Sequence, residues 1–285
     1  MTDSWESRDR LPDLDLAEIE QVAVELAVLA GAQISAALGR SLTVRYKGEA
    51  AGGGSLKDPV SEVDQRVEQL VRARLADHFP EHDIIGEEVE ERTGRSHDLV
   101  WAIDPVDGTT NFINGFPLFA GSIGVLYRGR PVVGAIWCST SHSLRPGVYH
   151  ARQGGLLCFD GDAVMERSCP DVRRRLVGMP KVLPDIDLSY DIRKTGSAAL
   201  ECAMVAAGLL TAARFARPNL WDVAGGVALV RAAGRKVEWR ASTGWTPLEH
   251  FEPPVGADGR PDLRSWRAPL VIGDPDAIEA IREAV

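Results

Sequence analysis

Cysteine, histidine and positive charge are all in short supply in this chain of 285 residues. Its four cysteines, Cys138, Cys158, Cys169 and Cys202, form no C-x-x-C pair. That excludes a thioredoxin-like motif or a zinc ribbon, and a chain of this length folds without disulfide staples, so reduced thiols are expected. The six histidines show no H-E-x-x-H spacing, and neither a Ser-His-Asp pattern nor a P-loop is present. Lys and Arg number 32 against 41 Asp and Glu, a formal charge of −9. This balance argues against a nucleic-acid partner, which needs clustered cations, and the short run Arg173 to Arg175 reads as a solvated edge. No apolar stretch reads as long enough to span a membrane, and the polar, acidic N-terminus lacks the order of a signal peptide. A cytoplasmic protein with no membrane partner is expected.

What the chain does contain is periodic pattern. Apolar residues recur at helical spacing from Leu16 through Leu38, opening after Asp15 as an N-cap and closing at Gly39. A Gly-Ala-Ser loop follows, and helical periodicity resumes with Pro59 in the first turn. "HDIIGEEVEE" and "LVWAIDPVDG" read as strands ending in carboxylates, and "FAGSIGVLYRGRPVVGAIWCS" as a hairpin about Arg128-Gly129-Arg130. Residues 141 to 190 look polar and poor in strands. "GSAALECAMVAAGLL" and "WDVAGGVALVRAAG" read as helices, and the chain closes with a strand and a helix opened by Asp274-Pro275-Asp276. No repeat or long linker divides it. A layered α/β fold in one domain over 1–285 is expected, with halves at about 15–160 and 161–285.

Acidic groups at strand ends and helix starts carry the chemistry: Glu87 and Glu88, Asp104 and Asp107, and Asp222. Each string alone has a plainer reading as a turn, a loop end or an N-cap. Asp104 and Asp222 follow apolar residues, however, so their ionisation needs neutralising cations. Hard cations such as Mg²⁺ favour carboxylates, waters and phosphate oxygens. Pro105 keeps Asp104 from helical backbone angles, which helps turn both carboxylates and the Val106 carbonyl toward one point. Gly108, Thr109 and Thr110 then offer backbone N–H groups to an anion. Carboxylates for metal beside amides for phosphate are the layout of a metal-dependent phosphoester hydrolase.

In their order and spacing, "KDPVSEVD", "IIGEE", "WAIDPVDGTTNFINGFPLFAGSIGV", "RKTGSAALECAMVAAG" and "WDVAGG" resemble the inositol monophosphatase family of magnesium-dependent, lithium-sensitive phosphatases. The resemblance implies an αβαβα sandwich of the inositol monophosphatase and fructose-1,6-bisphosphatase type, assembled as a homodimer and acting on a small phosphorylated metabolite. It implies two or three Mg²⁺ per site: one held by Glu87, Asp104 and the Val106 carbonyl, one by Asp104, Asp107 and Asp222, and a weaker third near Glu87 with Glu88 in its outer shell. Thr109, with Glu87 and Asp64, would orient and deprotonate the attacking water. The Gly108 and Thr109 amides would hold phosphate, and Gly196, Ser197 and Ala198 would approach the leaving group. Lys47, or else Lys57, would be the family's mobile-loop lysine.

Two departures bear on the substrate. Phe215 stands where inositol phosphatases of the family carry a glutamate that meets ring hydroxyls, and the stretch before "RKTGSAAL" is shorter than usual. Inositol phosphate, histidinol phosphate, fructose 1,6-bisphosphate and a 3′-phosphonucleotide all stay open as substrates. A second class of function, a regulatory or binding protein that retains the fold, is opposed by the complete set of acidic residues.

Overall fold

The computed structural model describes residues 14–46, 59–90, 98–165, 171–172, 175–181, 189–256 and 259–283. Lys47, Lys57 and Cys169 lie outside them. The first helix, α1, runs Leu16–Ala37, and Asp15 caps it by accepting from the Ala17 and Glu18 amides, both at 3.0 Å. Its Ile19, Val22, Leu26, Ala30 and Ile34 recur on one face, and that face is buried. The helix is also, by length and composition, long and apolar enough to cross a membrane, contrary to the sequence expectation. Here that apolar stripe packs on a sheet.

Pro59 does not open the second helix. Strand β2 (Pro59–Ser61) pairs antiparallel with β1 (Val44–Tyr46), and α2 begins at Glu62 and ends at His78. Ser61 and Asp64 form a capping box, which fixes the helix start after the proline.

Strands β3 (Asp83–Gly86), β4 (Leu99–Asp107), β5 (Ala120–Tyr127), β6 (Arg130–Cys138), β7 (Gly147–Arg152), β8 (Cys158–Phe159) and β9 (Asp162–Ala163) form one sheet in sequence order. Within this sheet, among the described residues, only β3 and β4 pair in parallel. The β5–β6 hairpin turns at Arg128 and Gly129, whose φ angles of 49° and 81° are those of a tight two-residue turn. Leu99, Trp101 and Ile103 of β4 face α1 and α2, whereas Val100 and Ala102 face the other side. Burial on both faces explains the unbroken apolar run.

A second sheet has the order β11-β10-β12-β15-β13-β14. Its strands are β10 (Arg175–Gly178), β11 (Tyr190–Arg193), β12 (Ala212–Phe215), β13 (Lys236–Ala241), β14 (Gly244–Pro247) and β15 (Leu270–Gly273). The region from 141 to 190 therefore contributes β7 to β10 and the start of β11, not a strand-poor stretch. These strands are short, and pairing with neighbours distant in sequence decides them more than local propensity does.

Helices α4 (Ala198–Ala206) and α5 (Leu220–Ala232) lie between the sheets, in a core that joins Ile136 and Tyr149 to Ala213 and Leu270. Helix α6 (Pro275–Ile281) covers the outer face of the second sheet through Ala277, Ile278 and Ile281. The layers are thus α1 and α2, sheet, α4 and α5, sheet, α6: the αβαβα sandwich. Close approach of α5 to the first sheet requires glycine. A Cβ on Gly225 would stand 2.7 Å from the Ile123 carbonyl oxygen, and one on Gly134 would stand 2.2 Å from the Gly225 oxygen.

Candidate active site

Asp104 and Asp107 close β4 where its register against β5 shifts. The regular pairing of Asp104 with Ser122 gives way to a bulge, and pairing resumes only at Asp107 with Ala120. A bulge re-aims side chains, and here it turns a buried strand end into a site. Gly108 follows at φ 86°, and the short helix α3 (Thr109–Ile113) begins directly after it. No side chain fits easily there: a Cβ would meet Leu118 O, Ser197 Cβ and Gly196 O at 3.2 to 3.3 Å.

Three more segments converge on this point. Asp222 sits in the first turn of α5, where it accepts from the Asn219 amide at 2.7 Å and from Asn219 Nδ2 at 3.1 and 3.2 Å. Asn219, not Asp222, is the N-cap. Glu87 follows β3, and its amide donates to the Ile103 carbonyl at 3.2 Å, which anchors it beside β4. Ser197 Oγ, at the N-cap of α4, donates to Asp107 Oδ2 at 2.6 Å, and the Ala199 amide donates to the same oxygen.

The electrostatics are those of crowded, dehydrated acids. Burial pushes the Asp104 carboxyl well above the usual carboxylate range, and the charges of Glu87, Asp107 and Asp222 push it further. Asp107 is pushed up to about 8 by burial and then by Asp222, against the hydrogen bonds from Ser197 and Ala199. Asp222 rises to about 6, again through burial first, with Asn219 opposing and Glu87 adding repulsion. Asp104 Oδ1 is buried without a hydrogen-bond partner. A buried, unpaired carboxylate oxygen amid like charges is costly unless a cation completes it. Four carboxylates and a nearby carbonyl make an all-oxygen donor set, and it fits a hard divalent cation.

Among the described residues no three acidic, imidazole or thiol groups already stand at closed ligand geometry. The hydrogen bonds explain why: Asp107 Oδ2 is held by α4 and both Asp222 oxygens face Asn219.

Asp64 and Thr109 form a second feature. Thr109 Oγ1 lies 3.1 Å from Asp64 Oδ1 and 2.9 Å from the Val106 carbonyl oxygen. Burial lifts Asp64 to about 6, opposed by the hydrogen bonds from Ser61 and reinforced by Glu87. Asp64 is thus an ionised acceptor near neutral pH, aimed at a hydroxyl beside the acidic cluster.

The other expected site residues separate into two groups. Gly196, at φ 82°, packs on Asn111, whose Nδ2 bridges Leu118 O at 2.6 Å and Thr195 O at 2.8 Å. Asn111 is therefore structural, tying α3 to the 195–199 turn. The Ser197 amide donates to Thr195 Oγ1 at 3.3 Å, within that turn, and Ala198 opens α4 beside it. Phe215 is only 7% exposed and packs in the core between the sheets.

Sequence reading missed the supports of the Glu87 loop. Glu68 of α2 is fully buried, accepts from the Glu88 and Val89 amides at 2.7 and 3.1 Å, and pairs with Arg72 at 2.8 Å. A Cβ on Gly86 would strike Glu68, so the glycine of G-E-E admits this carboxylate. Arg264 grips the other side, donating to the carbonyls of Gly86, Glu87 and Val89 while its guanidinium lies 4.9 Å from the Trp221 ring.

Acidic oxygens gathered at strand ends beside a glycine turn, with a buried carboxylate on a hydroxyl, suit the chemistry of a phosphoric monoester hydrolase. The family model of the inositol monophosphatase family matches residues 15–251, and the chain belongs to that family. It is 32% identical over 238 residues to the phosphatase IMPL1, chloroplastic, of Arabidopsis thaliana, covering 75% of this chain and 60% of that protein. It is 30% identical over 227 residues to the fructose-1,6-bisphosphatase/inositol-1-monophosphatase of Aquifex aeolicus, covering 74% of this chain and 81% of that one. It is 34% identical over 200 residues to the Nus factor SuhB of Escherichia coli, with 65% and 73% covered. The solved structure of the extragenic suppressor protein suhB from Bartonella henselae superposes with a TM-score of 0.71 at 24% identity, over 94% of this chain and 100% of that chain. An IMPase/NADP phosphatase complexed with Mg²⁺ and phosphate gives 0.69 at 19%, over 95% and 97%.

Proposed function

We propose that this protein is a Mg²⁺-dependent phosphatase that hydrolyses a small phosphate monoester by in-line attack of water. The observation that carries the reading is the buried, partnerless Asp104 Oδ1 amid Glu87, Asp107 and Asp222. Glu87, Asp104 and the Val106 carbonyl would hold one cation, and Asp104, Asp107 and Asp222 a second. Glu88 would lie in the outer shell of a weaker third. When bound, Mg²⁺ supplies charge neutralisation, polarisation of the ester and acidification of water.

The chain's own groups do the rest. The Gly108 and Thr109 amides orient the phosphoryl oxygens. Thr109 Oγ1, donating toward Asp64 Oδ1, is set to accept a proton from the attacking water as its own passes to Asp64, with Glu87 beside it. The 195–199 turn, through Gly196, Ser197 and Ala198, brings backbone close to the departing alcohol. Phe215 is buried between the sheets and offers that alcohol no acceptor, so recognition falls to the rim. The protein on this reading is a cytoplasmic, lithium-sensitive homodimer with one catalytic domain.

A second reading, that the fold serves as a regulatory partner, is favoured by the likeness to the Nus factor SuhB. The complete acidic set weighs against it as the sole role. Phosphate release from inositol, sugar, histidinol and 3′-nucleotide phosphates, with Mg²⁺ and with EDTA, separates the two. Release abolished by EDTA supports the phosphatase; no metal-dependent release from any ester supports the regulatory reading.

A further inference from the structure

Glu201 is the single charged residue of α4, a helix otherwise made of Ala, Leu, Cys, Met and Val. It is buried, beside Leu200 and Cys202 of the core between the sheets. A carboxyl there costs free energy unless its oxygens are met, and an apolar side chain would fill the space at lower cost. One residue meets Oε1 twice. Thr195 Oγ1 donates to it at 2.7 Å and the Thr195 amide at 3.3 Å. Burial raises the carboxyl to about 7 against those two bonds, and Oε1 accepts in either protonation state.

A strand glycine makes room for this carboxyl. Gly178 closes β10, and a Cβ on it would stand 2.8 Å from Glu201 Oε2 and 3.0 Å from Ala213 Cβ. Gly86, which closes β3, admits Glu68 in the same way, and Glu68 holds the Glu87 loop. Two buried acids thus sit behind strand-end glycines, and each grips a segment that leads into the site.

The segment that Glu201 grips is the 195–199 turn. The Thr195 carbonyl accepts from Asn111 Nδ2 at 2.8 Å, and the Thr195 hydroxyl oxygen accepts from the Ser197 amide at 3.3 Å. Thr195 is therefore pinned from α4 on one side and from α3 on the other. The residues after it border the site: Gly196 O and Ser197 Cβ would lie 3.3 and 3.2 Å from a Cβ on Gly108, and Ser197 Oγ donates to Asp107. Glu201 reaches the site through Thr195.

We propose that Glu201 is a positioning residue: it fixes Thr195, and through it the Gly196 to Ala198 backbone that selects an alcohol bearing further hydroxyls. The proposal rests on the phosphatase reading, which sets this turn beside the departing alcohol, and it narrows the substrate class to polyol and sugar phosphates. A backbone already held from two sides meets a hydroxyl without first having to be ordered.

The test uses the full chain with Mg²⁺ and compares the best substrate among inositol and sugar phosphates with 4-nitrophenyl phosphate, whose alcohol carries no further hydroxyl. The ratio of the two kcat/KM values is the readout, because a general loss of folding or metal binding lowers both alike. Glu201→Leu fills the space but leaves Thr195 unmet, and the ratio should fall about tenfold, chiefly through KM of the polyol ester. Glu201→Gln keeps the Oε1 acceptor and should stay within about twofold of the wild type. Thr195→Val should lower the ratio about threefold or more, and it carries the test if the leucine variant does not fold. An unchanged ratio in Glu201→Leu, or in Thr195→Val where the leucine variant fails to fold, overturns the positioning role while the phosphatase reading stands. So does a fall in Glu201→Gln as large as in Glu201→Leu, or a wild type that hydrolyses the aryl ester alone. No Mg²⁺-dependent release from any of these esters overturns both.

Discussion

Ser197 Oγ donates to Asp107 Oδ2 at 2.6 Å across 90 positions of sequence, and the same oxygen atom of Ser197 accepts from the Leu200 amide at 3.2 Å. One hydroxyl thus caps α4 and orients a proposed metal ligand. Ser197→Ala should cost about 1 to 2 kcal/mol of stability through the lost cap and the unmet carboxylate oxygen. It should also weaken Mg²⁺ binding, since Asp107 would lose its fixed orientation. Thermal unfolding with and without Mg²⁺ measures both effects; a variant destabilised equally in both conditions would show that the serine is only a cap.

The acidic cluster sets a pH dependence whose sign is fixed. Asp104, Asp107, Asp222 and Asp64 all have folded-state values raised above the ordinary carboxylate value, Asp107 to about 8 and the last two to about 6. Raised values mean that the folded state binds protons more tightly than the unfolded chain, so this contribution is present below about pH 4 and is lost as pH rises through 6 to 8. Glu201, buried and raised to about 7, acts in the same direction, and Glu20, lowered by His150 and Arg152 against its burial, acts in the opposite one. The Tm of EDTA-treated protein should therefore fall between pH 5.5 and 8.5. Added Mg²⁺ should flatten that fall, and an identical slope in both conditions would contradict cation binding at the cluster.

Gly225 tests how Asp222 is delivered. A methyl group there meets the Ile123 carbonyl at 2.7 Å, so Gly225→Ala should push α5 away from β5 and cost about 1 to 3 kcal/mol. Activity should fall further than stability alone explains. Urea unfolding paired with kcat separates the two, and full kcat in a destabilised protein would mean that α5 moves without taking Asp222 with it.

Phe215→Glu would place a carboxylate in the core between the sheets, since Phe215 is buried there. The expected result is a destabilisation of about 3 kcal/mol or more, easing at low pH where the new side chain is neutral. A stable variant with improved turnover of inositol 1-phosphate would show instead that this ring borders the substrate.

Much of this architecture was legible in the sequence. The strand ends at Glu87 and Asp107 and the helix at Trp221 were marked by local signals: an apolar run, a proline, then glycine and threonine. The supports were not. Glu68 reaches the Glu88 amide across 20 positions, and Arg264 reaches the Glu87 carbonyl across 177. On a helix that already bears charges, nothing local distinguishes a buried glutamate from a solvated one. Most strands between 147 and 193 escaped for a related reason, because their partners and not their own residues select the extended state, although the apolar run after Arg175 reads as strand-like and forms β10.

Asp104→Asn addresses the central claim most directly. The substitution keeps the shape of the side chain and removes the charge at the centre of the cluster. Isothermal titration with Mg²⁺ should show binding to the wild type and a loss of at least about tenfold in affinity in the variant. The metal-free variant should be more stable than the metal-free wild type at pH 8, because the cost of burying a carboxyl among like groups, or of protonating it, is gone. Phosphate release should vanish with it. Equal Mg²⁺ affinity and near wild-type turnover in Asp104→Asn would contradict the assignment of this cluster as the cation site.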